Sequence, residues 1–251
     1  MVGLNFGYAT HVAGIIAGDG EISKGYYTGV APKASIIALK VLDHNGNGTV
    51  TDVLAGLNWI LQNKDKYNIR VVNISVGTVV KSDIDEGSLL VKTVNAVWDA
   101  GIVVCVAAGN NGPRPKSITT PGISRKVITV GSSDDNISVE LSGNYTTDYS
   151  SRGPTPACVR KPDIIAPGSN IYSCRAINRY NYRNTKTFYI KKSGTSMSTP
   201  IVTGAIALLL SKYPNMTTRD VKLKIFNSSD DIGLDKNQQG WGMLNIEKLL
   251  R

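Results

Sequence analysis

Helical and strand patterns alternate along this chain, and this alternation limits its fold more than any other feature. Apolar runs with helical spacing predict helices at 11–17, 50–63, 89–100, 196–212, 218–226 and 245–250. Short apolar runs between them predict buried strands at 35–40, 71–74, 102–107, 127–131, 164–166 and 188–193. Strands that alternate with helices form a mainly parallel sheet with helices on both faces. The pattern therefore predicts an α/β fold of three layers, with residues 1–251 in one domain.

Composition limits the compartment and the class of protein. The chain contains no apolar run of about 18 residues, so we expect no membrane partner. The first residues lack the charged and apolar regions of a secretory signal. The cysteine count of three is odd, which argues against a complete disulfide framework, and a Cys158–Cys174 pair is the alternative to free thiols. We therefore expect a cytoplasmic protein with free thiols, and a secreted protein remains the alternative if an export signal precedes Met1.

A serine at the start of the 196–212 helix is the first candidate for chemistry. Ser196 lies in the segment Gly194-Thr195-Ser196-Met197-Ser198-Thr199-Pro200, whose small residues let a substrate backbone approach. The first amides of a helix have no intrahelical acceptor and favour negative charge. Ser196 is therefore a candidate nucleophile, and an ordinary N-cap serine is the alternative. We expect Pro200 to fall in the first turn, where its missing N–H costs nothing.

Two other segments supply groups that a serine nucleophile needs. His11 stands at the head of the 11–17 helix and is a candidate general base, with a structural histidine as the alternative. Asn110 follows the strand at 102–107, where ligands of α/β sheets bind. Its side-chain amide is a candidate donor to a developing oxyanion, and a turn residue is the alternative. We expect His11 and Ser196 to lie within hydrogen-bond reach, with Asn110 on the same rim.

Taken together, these segments resemble the subtilisin-like serine peptidases, or subtilases. The resemblance is carried by Thr10-His11-Val12-Ala13-Gly14, Ala107-Ala108-Gly109-Asn110 and Gly194-Thr195-Ser196-Met197, in the order of the family. It extends over nearly the whole chain and includes Asn73-Ile74-Ser75-Val76-Gly77 and Pro162-Asp163-Ile164-Ile165-Ala166-Pro167-Gly168. Residues 101–113 are most similar to the intracellular alkaline branch found in bacilli.

The resemblance implies a subtilisin-like αβα fold and a serine endopeptidase. Ser196 would attack the peptide carbonyl, His11 would take and return the proton, and Asn110 and the Ser196 N–H would hold the oxyanion. An extended peptide substrate would pair with two edge segments. The implied substrate-binding residues are Gly46, Asn47, Gly48, Ser75, Val76 and Gly77, with Ala107, Ala108 and Gly109 on the other side of the primary specificity pocket.

The chain also departs from the family in two places that affect activity. The family carries its aspartate in an Asp-Ser/Thr-Gly motif on a strand well before the histidine, whereas none of the ten residues before His11 is acidic. The family usually has His-Gly where this chain has Tyr8-Ala9. We therefore expect a fold that lacks its first, Asp-bearing strand, no carboxylate beside His11, and impaired hydrolysis. A non-catalytic peptide-binding or scaffold protein is the alternative, and the missing N-terminal segment is a candidate separate partner.

Cofactors and other partners have weaker support in the sequence. Asp43-His44-Asn45-Gly46-Asn47-Gly48 matches the start of an EF-hand loop, but its twelfth position is Leu54 instead of glutamate. We expect no required cofactor, and structural calcium stays open without a ligand set. The net charge is +9, and residues 175–192 interleave basic and aromatic side chains, as single-stranded nucleic-acid sites do. A solvated hairpin is the favoured interpretation of that stretch, so we expect a protein or peptide partner.

Overall fold

The computed structural model describes residues 7–43, 47–78, 87–133, 137–141, 143–177 and 187–251. Its strands are β1 (Val71–Ile74), β2 (Val103–Ala107), β3 (Ile128–Ser132), β4 (Val139–Leu141), β5 (Asn144–Thr146), β6 (Ile164–Ala166), β7 (Ile171–Cys174) and β8 (Tyr189–Lys192). Its α-helices are α1 (Tyr8–Ala17), α2 (Val50–Asn63), α3 (Leu89–Asp99), α4 (Thr195–Lys212), α5 (Thr218–Ser228), α6 (Lys236–Gln239) and α7 (Ile246–Leu250). A short 3₁₀ helix spans Glu21–Ser23.

The centre of the fold is a parallel sheet with the strand order β1-β2-β3-β6. Its register pairs Asn73 with Cys105, Cys105 with Ile128, and Val130 with Ile164. Every residue of β2 and β3 is buried, as expected for parallel strands covered by helices on both faces. The predicted α/β fold with a mainly parallel sheet is therefore confirmed.

Helix α4 runs through the middle of the molecule and packs against all four strands of this sheet. It is buried on nearly every side because its residues are small or apolar all round. Helix α1 packs on α4, while α2 and α3 pack on each other and α3 on β2. Since α4 begins at the carboxyl ends of the strands, the fold places Ser196 at the edge where β1 and β2 end.

One predicted strand is absent from the structure. Residues 35–40 were expected to form a strand, but they have no regular secondary structure. No backbone hydrogen bond joins residues 35–42 to another described residue. A strand exists only through pairing with a neighbour, and a large groove separates these residues from β1, the edge of the sheet. The apolar pattern was correct, but the partner it needs is not among the described residues.

Two hairpins outside the main sheet complete the fold. Strand β8 lies within the predicted 188–193 strand, but it pairs antiparallel with β7 instead of joining the parallel sheet. Strands β4 and β5 form a second antiparallel pair that the sequence analysis did not predict. The three cysteines, Cys105, Cys158 and Cys174, are free thiols. Among the described residues, no helix has the length and apolar character needed to cross a bilayer.

Candidate active site

The end of β2 and the start of α4 are held together by Asn110 and Thr195. The Asn110 Oδ1 atom accepts hydrogen bonds from the Thr195 N–H and hydroxyl, each at 3.0 Å. In return, the Gly109 N–H donates to Thr195 Oγ1 at 3.2 Å. These contacts fix Asn110, which is exposed, with its oxygen turned inward and its Nδ2 amide available for a ligand. Asn110 and Ser196 therefore share one rim, as predicted.

Glycine is required immediately before this helix. Gly194 has φ +135°, a backbone conformation that residues with a side chain rarely adopt. A Cβ atom at Gly194 would also lie 3.1 Å from Asn110 Nδ2. The glycine therefore lets the turn form while Asn110 stays close to the start of α4.

The Ser196 hydroxyl lies at this helix start and is half-buried. Its Oγ donates a hydrogen bond to the Ser75 carbonyl, just after β1, at 2.8 Å. The Tyr8 hydroxyl donates to the same carbonyl at 2.6 Å, and it also has a hydrogen-bonding contact with the Ser196 side chain. The side chain that faces the candidate nucleophile is therefore a phenol and not an imidazole.

Tyr8 cannot take the place of a general base at neutral pH. Burial raises the pKa of the Tyr8 hydroxyl above its ordinary value, and the contact of the Ser196 hydroxyl with the Tyr8 oxygen offsets only part of that rise. The hydroxyl therefore keeps its proton and donates a hydrogen bond to the Ser75 carbonyl. A base has to accept the serine proton during attack, so the Ser196–Tyr8 pair does not activate the serine.

The predicted hydrogen bond between His11 and Ser196 is wrong. His11 lies one turn further along α1, fully buried between this helix and the β7–β8 hairpin. Its Nε2 atom is 3.1 Å from the carbonyl oxygen of Ile171 and 3.0 Å from that of Ile190. Both neighbours are acceptors, so Nε2 carries the proton. The structural alternative stated for His11 therefore agrees with these contacts, and the role of general base does not.

The remaining ring nitrogen of His11 has no partner among the described residues, although it is buried. The prediction that no carboxylate lies beside His11 therefore agrees with the described part of the chain. Burial lowers the pKa of His11, the hydrogen bonds to Ile190 and Ile171 oppose this change, and the nearby Lys192 charge adds to it. A lowered pKa keeps the ring neutral.

Pro200 lies deeper in the helix than the sequence suggested. It is the sixth residue of α4, so it removes an N–H that would otherwise bond the Ser196 carbonyl four residues earlier. The Ser75 hydroxyl donates to that carbonyl instead, at 3.1 Å. The missing helix bond is thus replaced by one that ties Ser196 to the end of β1.

Two of the three predicted substrate-binding segments flank Ser196. Ser75, Val76 and Gly77 follow β1. Ala107 is the last residue of β2, the parallel neighbour of β1, and Ala108 and Gly109 follow it. Ala108 is fully buried, and its backbone N–H and carbonyl already bond Val130 and Thr119. In the third segment, Asn47 and Gly48 contact Asp43 and Val41. Gly46 lies outside the described residues, so substrate binding by this segment stays a prediction.

The described residues provide no cluster of metal ligands, and they include only part of the candidate nucleic-acid segment. Among the described residues, no group of three or more His, Cys, Asp or Glu side chains could hold a metal ion. The EF-hand-like segment falls partly on residues 44–46, and the basic stretch partly on 178–186, both outside the described residues. The calcium and nucleic-acid interpretations remain untested.

Sequence reasoning missed Tyr8 as the neighbour of Ser196. The signal was present, because position 8 is where the family usually has a histidine and this chain has tyrosine. The role of general base was instead predicted for His11, the histidine three residues later.

Comparisons with known proteins agree with the fold. The sequence profile of the Peptidase S8 subtilase family matches residues 7–242. Serine protease AprX of Bacillus subtilis (strain 168) is 42% identical over 96% of this chain. Subtilisin DY of Bacillus licheniformis is 33% identical, also over 96% of this chain and over 76% of its own length. The chain spans 57% of the length of AprX.

Solved structures give the same result for the fold. A protease described as the S41 psychrophilic protease superposes with a TM-score of 0.75 at 28% identity, covering 95% of this chain and 77% of its own. The prenylagaramide maturation protease PagA superposes with a TM-score of 0.70 over 97% of this chain and 80% of its own. Its identity of 24% supports likeness of fold alone.

Proposed function

Since the chain belongs to the subtilase family, we propose that it is a serine-type endopeptidase domain that binds peptides but hydrolyses them very slowly. Serine endopeptidase is the general class of the family. Slow hydrolysis is inferred from one observation: the Ser196 and Tyr8 hydroxyls both donate hydrogen bonds to the Ser75 carbonyl. Protein or peptide chains are the proposed partners.

The proposed chemistry uses Ser196 as the nucleophile. Its Oγ would attack the carbonyl carbon of the scissile peptide, and negative charge would then develop on the carbonyl oxygen. Two donors are suitably placed for that oxygen. The Ser196 N–H lies in the first turn of α4, where amides have no intrahelical acceptor, and the Asn110 Nδ2 stands on the same rim. These two donors support the proposed oxyanion site.

The other half of the machinery does not assemble around Ser196. Attack requires a group that accepts the serine proton, and the hydroxyl beside Ser196 is a donor whose pKa is raised. The imidazole of His11 is engaged with the Ile171 and Ile190 carbonyls. In subtilisin, the reference case for this triad, loss of the base costs about 10⁶-fold in kcat and loss of the acid alone about 10⁴-fold. Binding and the oxyanion donors survive such losses.

A non-catalytic peptide-binding protein is the second candidate, and the same Tyr8 contact favours it. The two candidates differ in whether slow turnover at Ser196 can be detected. In both, the substrate segment would lie between Ser75–Gly77 and Ala107–Gly109, beside Ser196. Glycine at 77 and 109 lets a backbone approach. The Gly109 carbonyl already accepts a hydrogen bond from the Ser151 N–H. A bound peptide would therefore form its backbone hydrogen bonds mainly with Ser75–Gly77, which follow β1.

Substituting Tyr8 with histidine tests the proposal. Tyr8→His places an imidazole beside Ser196 without adding an acid, so the two subtilisin losses above predict a gain of about 10²-fold. The measurement is the rate at which Ser196 reacts with a fluorophosphonate probe, together with cleavage of a fluorogenic peptide. Tyr8→Phe is the matched control, because it removes the hydroxyl without adding a base and should give no gain.

Three results would contradict the proposal. Cleavage by the unaltered chain as fast as by Tyr8→His would show that Ser196 already has a base. Loss of that cleavage in His11→Gln would identify His11 as the base. Activity that persists in Tyr8→His combined with Ser196→Ala would show that another residue is the nucleophile.

A further inference from the structure

The Ser196 carbonyl depends on a side chain for its hydrogen bond. Pro200 has no N–H, so the usual donor four residues along the helix is missing. The Ser75 hydroxyl lies 3.1 Å from this carbonyl and donates to it instead. A hydroxyl carries a single proton, so this hydrogen bond exists only while the Ser75 proton points toward Ser196.

The Asn73 side chain fixes the direction of that proton. Its Nδ2 atom lies 2.9 Å from Ser75 Oγ. An amide NH₂ group can only donate, so Ser75 Oγ accepts from Asn73 and directs its own proton to the Ser196 carbonyl. Asn73 is half-buried on β1, and it reaches Ser196 through the Ser75 hydroxyl.

Helix α4 fixes the orientation of the Asn73 amide. The Thr203 hydroxyl, about two turns after Ser196, lies 3.0 Å from Asn73 Oδ1 and 3.0 Å from the Thr199 carbonyl. With Oδ1 toward Thr203, the Nδ2 group is left for Ser75. The flipped amide would turn Oδ1 toward Ser75, take the Ser75 proton and leave the Ser196 carbonyl without it. The orientation shown is therefore the one that satisfies the Ser196 carbonyl.

We propose that Asn73 is a positioning residue for the nucleophile, because it makes the Ser75 hydroxyl hold the Ser196 carbonyl in place. This role rests on the proposed function of Ser196, and Asn73 acts through Ser75 rather than on the substrate. The carbonyl belongs to the residue whose Oγ would attack and whose N–H would hold the oxyanion. Loss of its donor would let this residue turn, and reaction rates are sensitive to small displacements of the attacking atom.

Asn73→Asp tests this role with almost no change of shape. At about pH 8 aspartate is ionised and only accepts hydrogen bonds, so it draws the Ser75 proton away from the Ser196 carbonyl. The readout is the amide of Met197, whose nitrogen shares a peptide group with that carbonyl. Labelling with ¹⁵N-methionine gives few NMR signals, because the chain has four methionines. We expect the Met197 signal to shift and the other methionine signals to stay in place.

The reactivity of Ser196 is the second measurement. Loss of the hydrogen bond to the serine carbonyl should slow labelling by the fluorophosphonate probe by about tenfold, at an unchanged half-saturating concentration of probe. The rates are compared in the Tyr8→His background, where a gain in reactivity is expected. Asn63→Asp is the matched control, since its half-buried amide donates to the Trp59 carbonyl of its own helix. It should change neither the Met197 signal nor the rate.

A double variant shows whether Asn73 acts through Ser75. The hydroxyl is absent in Ser75→Ala, so adding Asn73→Asp should change the Met197 signal and the labelling rate no further. Additive effects of the two substitutions would assign the change to the new charge or to a general loosening of β1, and would overturn the proposal.

Other results would overturn the proposal as well. They are an unchanged Met197 signal in Asn73→Asp, equal effects of Asn73→Asp and Asn63→Asp, and a shifted Met197 signal with an unchanged labelling rate. If the Met197 signal shifts but the probe labels Ser196 in none of the variants, the hydrogen bonds from Asn73 are supported and the proposed function of Ser196 is contradicted instead.

Discussion

Replacing His11 with alanine is expected to lower the free energy of unfolding by about 3–5 kcal/mol. The ring is fully buried, and its Nε2 proton serves the carbonyls of Ile171 and Ile190. A buried carbonyl that loses its donor costs about 1–3 kcal/mol, and two are affected. The cavity left by the ring adds to this loss. Urea unfolding at pH 7 measures it, and a loss under about 1 kcal/mol would refute the contacts described for His11.

The same residue predicts how stability depends on pH. Burial lowers the pKa of folded His11 below its ordinary 6.5, so the unfolded chain binds a proton at a pH where the folded chain does not. The contribution of neutral His11 to the free energy of unfolding is complete above about pH 6.5 and is lost as the pH falls toward the lowered pKa. Between pH 7 and pH 5 the loss reaches at most about 2 kcal/mol.

His11→Gln is the control for this pH dependence. Glutamine keeps an N–H donor for the hairpin carbonyls and does not titrate. The stability difference between the unaltered chain and His11→Gln should therefore shrink as the pH falls from 7 to 5. Parallel pH profiles for the two proteins would refute the neutral, buried histidine.

Two further predictions concern buried groups away from the site. Asp163→Asn should cost about 3–5 kcal/mol in urea unfolding, because Lys161 is 1% exposed and would lose its ion-pair partner. An effect of about 0.5 kcal/mol or less, the size of a surface substitution, would contradict the pairing. Burial raises the pKa of Cys105 to about 12, so iodoacetamide should alkylate exposed Cys158 well before Cys105 in the folded chain. Equal rates by peptide mapping would contradict that burial.

The sequence by itself determined the elements whose stability is local or whose burial is complete. The helix at 50–63 and the strand at 71–74 were predicted with the bounds that the structure has. The helix begins at a capping box, in which Thr49 and Asp52 bond each other's backbone. The strand is recognisable as a short apolar run, and its Val72 and Ile74 side chains are buried in the core. Ser196 and Asn110 followed from their places at a helix start and a strand end.

Only the tertiary structure decided which side chain faces Ser196. Tyr8 and His11 are three residues apart on α1, and both have side chains that can form hydrogen bonds. The choice depends on how α1 packs, because the β7–β8 hairpin covers His11 while the end of β1 receives Tyr8. Contacts of this kind join residues more than 60 positions apart, and no local pattern contains them.

The tertiary structure likewise decided the state of residues 35–42. Their apolar pattern is that of a strand, and the sequence predicted one. A strand is stable only when a neighbour takes up its backbone hydrogen bonds. The structure leaves a groove where that neighbour would lie, so the segment remains extended and unpaired. The sequence determined the tendency of each segment to form a helix or a strand. The sheet determined which segments became strands, because among the described strands β1 pairs with β2 alone.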